Sequence, residues 1–188
     1  MSNSTRSRAI GIAGIVMVGS AALLAVTGVA LAMPEDYDPE AKLEALGIEL
    51  PTPSAPVANY VRTVRTGNLV FTSGHGPSKP DGTFVKGKLG RDLTVEDGYE
   101  AARLTAIALL ASLKKEIGDL SKVRRVVKVF GMVNSAPDFT DQSKVINGCS
   151  DLLVEVLGDR GRHARAAVGM ASLPMGFAVE IEMIVEVE

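Results

Sequence analysis

From Val179 to Val187 the chain alternates with a period of two: Val179, Ile181, Met183, Val185 and Val187 form one row, with Glu180, Glu182 and Glu186 opposite. Successive side chains of a strand point to opposite faces, so this stretch is a β-strand with one apolar face and one wet face. Ahead of it, beyond Leu173 and Pro174, His163, Arg165, Ala167 and Gly169 alternate with Ala164, Ala166, Val168 and Met170. Arg165 therefore shares its face with small residues that cannot shield it. In a recess, its planar fork suits a carboxylate.

The front of the chain has a different character. Arg6 and Arg8 precede an uncharged run from Ala9 to Ala32 that closes on Ala30, Leu31 and Ala32, ahead of Pro34, Glu35 and Asp36. A basic start, an apolar stretch and an Ala-x-Ala end make residues 1–32 a signal peptide. The run is also long enough, at about 1.5 Å per residue against a hydrocarbon core of about 30 Å, to be an N-terminal membrane anchor. Both readings export the remaining chain to the periplasm or beyond, with membrane attachment only through an uncleaved N-terminal segment.

The 188 residues leave room for one ordinary domain behind this extension. The single cysteine, Cys149, cannot make an intrachain disulfide and reads as a small core hydrophobe. Loss of Arg6 and Arg8 with the leader lowers the basic count from 20 to 18 against 22 acidic residues. An acidic chain without a basic tract does not suit nucleic-acid binding.

Residues 33–56 are acidic and then proline-rich; they read as a linker with one helical turn around Pro39 to Leu46, which leaves residues 57–188 as the domain. Two β-rich runs, Tyr60 to Arg65 and Leu69 to Ser73, flank Gly67 and Asn68 and predict a hairpin. In the loop after it, Gly74 and Gly76 on either side of His75 let the backbone approach a neighbour closely. Thr94 and Asp97 form a capping box for a helix with its apolar stripe on Ala102, Ala106, Leu109, Leu113 and Ile117, ended by Gly118.

Val123 to Val133 is a strand, and the segment Asn134 to Pro137 reads as the start of a second helix running to about Leu157. Inside that helix Gly148 costs about 1 kcal/mol relative to alanine, a broken local rule that points to close packing or a site. The order is two or three strands, helix, strand, helix, strand, strand. It specifies an α+β fold, a ferredoxin-like sheet with two helices on one face.

The run Asn68 to Gly74, the segment Val145 to Asn147, Ala164 with Arg165, Leu173 with Pro174, and Val179 to Glu182 resemble, in this order and spacing, the RidA/YjgF family. That family is also called L-PSP endoribonuclease-like or chorismate-mutase-like. The resemblance covers most of residues 57–188 and implies a chorismate-mutase-like sheet and a homotrimer with a barrel-like centre and clefts between subunits. It also implies hydrolysis of reactive enamines and imines (2-imino acids) to 2-keto acids and ammonia, with no cofactor and no metal. By matching positions, Arg165 would bind the substrate carboxylate and Glu180 would position or activate the attacking water. Tyr60, Ser73 and Asn147 match pocket-lining positions. His75 stands where well-known members carry glutamine, and Ala167 where they often carry cysteine, so these two substrate-binding positions mark a divergent pocket.

Apart from the resemblance, Arg165 fits a salt bridge to Glu180 or Glu182, and His75 and His163, the only two histidines, fit hydrogen-bonding or surface roles. Two functions stay open: an imine/enamine deaminase, and a non-catalytic protein that holds a small carboxylate in the same cleft.

Overall fold

The structure is a computed structural model that describes residues 37–53, 55 and 58–188; the expected leader, residues 1–32, lies outside them. The first element is a short helix, α1 (Pro39–Ala45), capped by Asp38, whose side chain accepts from the backbone N–H groups of Glu40 and Ala41. The helical turn expected in the linker is therefore present, but the surrounding segment is not a free tether. Leu43 is buried in the core, Leu46, Ile48 and Leu50 pack against it, and the Tyr37 hydroxyl donates to the Glu155 carbonyl at 3.0 Å. Each fully buried leucine is worth about 1.5–3 kcal/mol, enough to hold this segment down despite its prolines. Ordered packing thus begins ahead of residue 57, the start expected from composition.

Strands β1 (Thr63–Thr66), β2 (Leu69–Thr72), β3 (Val123–Asn134), β4 (Ala164–Met170) and β5 (Val179–Val187) form one sheet in the order β1-β2-β5-β3-β4. β1 and β2 make the expected hairpin, with Thr66 paired to Leu69 and Gly67 at φ 58°, a backbone region that glycine enters without a clash. β5 lies antiparallel between β2 and β3, and β3 runs parallel to β4. β2 and β3 are accordingly parallel strands held apart by β5, a split βαβ unit whose crossover is α2 (Val95–Ile117). A third helix, α3 (Gln142–Leu157), crosses from β3 to β4.

The core lies between the sheet and these two long helices, where Val129, Ile181 and Met183 meet Leu109, Leu113, Ile146 and Leu153. α2 begins as its capping box predicts: the Thr94 hydroxyl accepts from the Asp97 N–H, and the Asp97 carboxylate accepts from the Thr94 N–H. Gly118, at φ 86°, ends it.

The second long helix starts later than the sequence suggests. The Asn134 N–H donates to the Ala178 carbonyl, its own carbonyl accepts from Leu89, and its side-chain amide donates to the Phe177 carbonyl at 3.0 Å. With backbone and side chain tied to neighbouring loops, Asn134 extends β3 instead of capping a helix, and α3 begins at Gln142. Gly148 is explained by packing: a Cβ there would lie 1.9 Å from the Tyr99 carbonyl oxygen of α2. Cys149 is buried, and burial pushes its thiol up to about 12, so it packs and does not react.

Among the described residues no helix is long and apolar enough to cross a membrane. The sheet face opposite α2 and α3 carries Val64, Phe71, Val127 and Val168, which are 54%, 39%, 37% and 36% exposed. These side chains span four strands of a mixed face that also carries Glu180, Glu182 and Glu186 of β5, and one chain leaves it open.

Candidate active site

β4 is an edge strand, and Arg165 stands in it opposite Val129 of β3. Val129 is a fully buried core residue, so Arg165 lies on the helix-covered face, within reach of α3. Its Nη1 donates to Asn147 Oδ1 at 3.0 Å and to Ser150 Oγ at 2.9 Å, and its Nη2 donates to the Ser143 carbonyl at 3.3 Å. The three partners sit at i, i+4 and i+7 of α3, one polar stripe down a helix face.

A guanidinium has five N–H donors. With both Nη1 hydrogens and one on Nη2 engaged, Nε–H and the second Nη2–H have no partner among the described residues. Those two form the side-on pair that grips both oxygens of a carboxylate. The salt bridge that Arg165 could make with Glu180 or Glu182 is absent from the ion pairs of the described residues. Ala167, on the same face as Arg165, pairs with Gly131.

Ser150 is not among the residues the sequence marks, whereas His163 makes hydrogen bonds, as expected of it. Ser150 Oγ is 3.0 Å from His163 Nε2, and His163 Nδ1 is 2.6 Å from the Gly161 carbonyl. The polar stripe of Ser143, Asn147 and Ser150 was the available signal, visible at helical spacing once Asn147 had been singled out.

Glu180 stands opposite Met132 in β5–β3 register. Met132 and Val129 are three residues apart on one strand, so Glu180 and Arg165 occupy opposite faces of the sheet. The Glu180 carboxylate lies against the backbone of Gly74, where an added Cβ would come within 2.0 Å of Oε1. Burial, and secondly the nearby Glu182 carboxylate, raise the Glu180 pKa above the usual 4.5. Ser73 follows β2, its hydroxyl donating to the Val61 carbonyl at 2.5 Å. Tyr60, 45% exposed, borders a cavity of about 440 Å³ together with Arg62, Thr63, Ser112 and Lys115.

His75 does not share the face of Glu180. It bridges Ile181 through backbone bonds of 2.9 and 3.0 Å, which turns the imidazole to the helix side, 3% exposed. Nδ1 lies 2.7 Å from the Ser73 carbonyl and Nε2 lies 2.8 Å from Ser112 Oγ of α2. A carbonyl can only accept, so Nδ1 carries the proton and Nε2 receives the Ser112 hydroxyl. Burial lowers the His75 pKa from 6.5 to about 4, so the ring is neutral at pH 7. It borders a cavity of about 140 Å³ shared with Arg62, Ser78 and Ser112.

The residues marked from the sequence thus fall into two separate groups in one chain. Asn147, Arg165 and Ala167 gather at the α3–β4 edge, whereas Ser73 and Glu180 gather at the far end of the hairpin, with Tyr60 leading into β1. Among the described residues no group of three His, Cys, Asp or Glu side chains could hold a metal.

Residues 40–187 match the sequence profile of the family described as "YjgF/chorismate_mutase-like, putative endoribonuclease". The protein belongs to this RidA/YjgF family, and the match begins inside α1. It is 48% identical over 147 residues to Protein TCP17 of Trypanosoma cruzi, across 78% of this chain and 92% of that protein. The structure of the protein Atu1372, of unknown function, from Agrobacterium tumefaciens is 49% identical and superposes with a TM-score of 0.75, covering 80% of this chain and 92% of that one. A structure from Shewanella oneidensis MR-1, also described as an endoribonuclease of that kind, gives 33% identity and a TM-score of 0.77 over 80% of this chain and 99% of its own.

Proposed function

We propose that the protein hydrolyses reactive 2-imino acids to 2-keto acids and ammonia, in clefts formed between three copies of the chain. The observation that carries this reading is the Arg165 guanidinium: three of its donors are fixed by α3, and a side-on pair is left for a carboxylate. A guanidinium already held in place loses little freedom when the ligand arrives.

The opposed faces of Arg165 and Glu180 support an intersubunit site, because a single chain does not bring them to one small substrate. Edge strand β4 of one copy would meet the hairpin end of the next. The open face bearing Val64, Phe71, Val127 and Val168, together with the β5 glutamates, is the surface such an assembly would cover.

In the cleft, Arg165 holds the substrate carboxylate and thereby fixes the electrophilic imine carbon beside it. Glu180 takes a proton from water as the water oxygen bonds to that carbon. That proton passes to the nitrogen as the C=N π pair moves there, which gives a carbinolamine. The new hydroxyl then gives up its proton, by way of Glu180, to the nitrogen, the carbon–nitrogen bond breaks as the C=O bond forms, and ammonia leaves a 2-keto acid. A carboxyl pKa raised by burial suits a group that both takes and returns a proton. In this reading the leader of residues 1–32 exports the domain, which cell fractionation would detect.

The test is ammonia and pyruvate release from freshly generated 2-iminopropanoate by protein of measured mass in solution. Acceleration over the spontaneous rate, abolished in Arg165→Ala and in Glu180→Gln, is the expected result. A folded trimer with no acceleration overturns it, and Arg165-dependent binding of pyruvate without turnover would make the protein a carboxylate-binding one instead.

A further inference from the structure

Behind Arg165 the hydrogen bonds form a chain in which each proton has one allowed place. The Gly161 carbonyl lies 2.6 Å from His163 Nδ1 and can only accept, so Nδ1 carries the hydrogen. A neutral His163 then has a bare Nε2, and this must accept from the Ser150 hydroxyl 3.0 Å away. The Ser150 oxygen is left with its lone pairs, one of which receives Arg165 Nη1–H at 2.9 Å.

We propose that Ser150 and His163 are positioning residues for Arg165, the neutral imidazole holding the serine hydroxyl in the rotamer that accepts from the guanidinium. The proposal rests on the assignment of Arg165 as the carboxylate clamp.

A proton on His163 would reverse the chain. Nε2–H would then donate to Ser150 Oγ, the hydroxyl hydrogen would have to turn away, and two cations would share one oxygen. The groups facing the ring are Ser150 from α3, the Gly161 carbonyl and Arg165. Lys128 of β3 pairs with Ala164 and so projects to the other face, while Asp159 and Arg162 pair with each other at 3.0 Å. The ring thus faces one cation and no carboxylate among these groups. Burial first, and the Arg165 charge after the opposing Gly161 bond, lower the His163 pKa, so the reversal falls below pH 6.5. The added charge alone would attract an anion, but it lies behind Nη1, away from the open Nε–Nη2 side.

With two histidines in the chain, His163 can be followed through its ring resonances by NMR titration of the intact protein without ligand. It should titrate below 6.5, and Arg165→Ala and Ser150→Ala should each move it upward. Calorimetry with pyruvate at about pH 7.5 and about pH 5.5 gives the second readout. Wild type should weaken at the lower pH by no more than about tenfold, in step with the His163 protonation that the titration reads, Ser150→Ala should be weak at both, and His163→Gln should hold one affinity throughout. A His163 titration untouched by Arg165→Ala, or the same acid weakening in His163→Gln, overturns the proposal. If pyruvate binds at neither pH, the carboxylate-clamp reading fails, and the titration shifts still decide the coupling.

Discussion

Asn147 Oδ1 accepts a hydrogen bond from Arg165 Nη1 at 3.0 Å, tying the middle of α3 to edge strand β4. The bond has a charged donor and is made in the free protein, so under the proposed function it would organise the guanidinium before a carboxylate arrives. Asn147 is exposed and its loss opens no cavity. Asn147→Ala should therefore leave the fold intact and raise KM for an imino acid about tenfold, the equivalent of about 1.4 kcal/mol, with kcat little changed. Steady-state kinetics beside a circular dichroism melt check both halves.

Gly148, the next residue, is set by packing and not by chemistry. A Cβ 1.9 Å from the Tyr99 carbonyl oxygen meets rigid helix backbone, so alanine must push α2 and α3 apart. Although alanine is the better helix former, Gly148→Ala should destabilise the protein by about 2–4 kcal/mol. Denaturant unfolding with an unchanged slope and a lowered midpoint is the expected outcome; equal or greater stability would contradict the packing account.

The strand alternation of Val179 to Val187, the hairpin around Gly67 and the capping box at Thr94 were legible in the sequence because each is fixed by local geometry. Asn134 misled because its side chain and backbone are taken by Phe177, Ala178 and Leu89, partners distant in sequence. The segment from Tyr37 to Leu50 looked like a linker because its prolines and acids are local signals, whereas the burial of Leu43 depends on the helices it lands on. Arg165 could be singled out from its small neighbours, and Asn147 and Glu180 came from family positions. The opposed faces of Arg165 and Glu180 needed the β3 register, which no single segment encodes.

Glu180 should give the reaction an acid limb displaced from ordinary carboxylate behaviour. Burial and the Glu182 charge raise its pKa, so the base form that the proposed reaction uses to activate water is lost at a pH above 4.5. Glu182→Gln removes the like charge and should shift the limb of kcat/KM to lower pH, while Glu182→Asp should leave it nearly in place. The same shift makes ionised Glu180 unfavourable to folding. Glu180→Gln should be more stable than wild type at neutral pH, with the difference vanishing as pH falls below 4.5.

His75 ties stability to pH in the opposite sense. Its pKa is lowered from 6.5 to about 4, chiefly by burial, with the Arg62 charge adding to this and the Ser73 bond opposing it. Between these two values the unfolded chain takes up a proton that the folded chain refuses, so the folded state loses stability as pH falls from 6.5 toward 4. The full loss is of the order of 3 kcal/mol for a ring this deeply buried, and it is absent above 6.5. His75→Gln keeps a hydrogen-bonding side chain between Ser73 and Ser112 but has no proton to gain. The melting temperature of wild type should fall relative to that of His75→Gln as the medium is acidified through this window. Parallel profiles would show that His75 does not remain neutral in the folded protein.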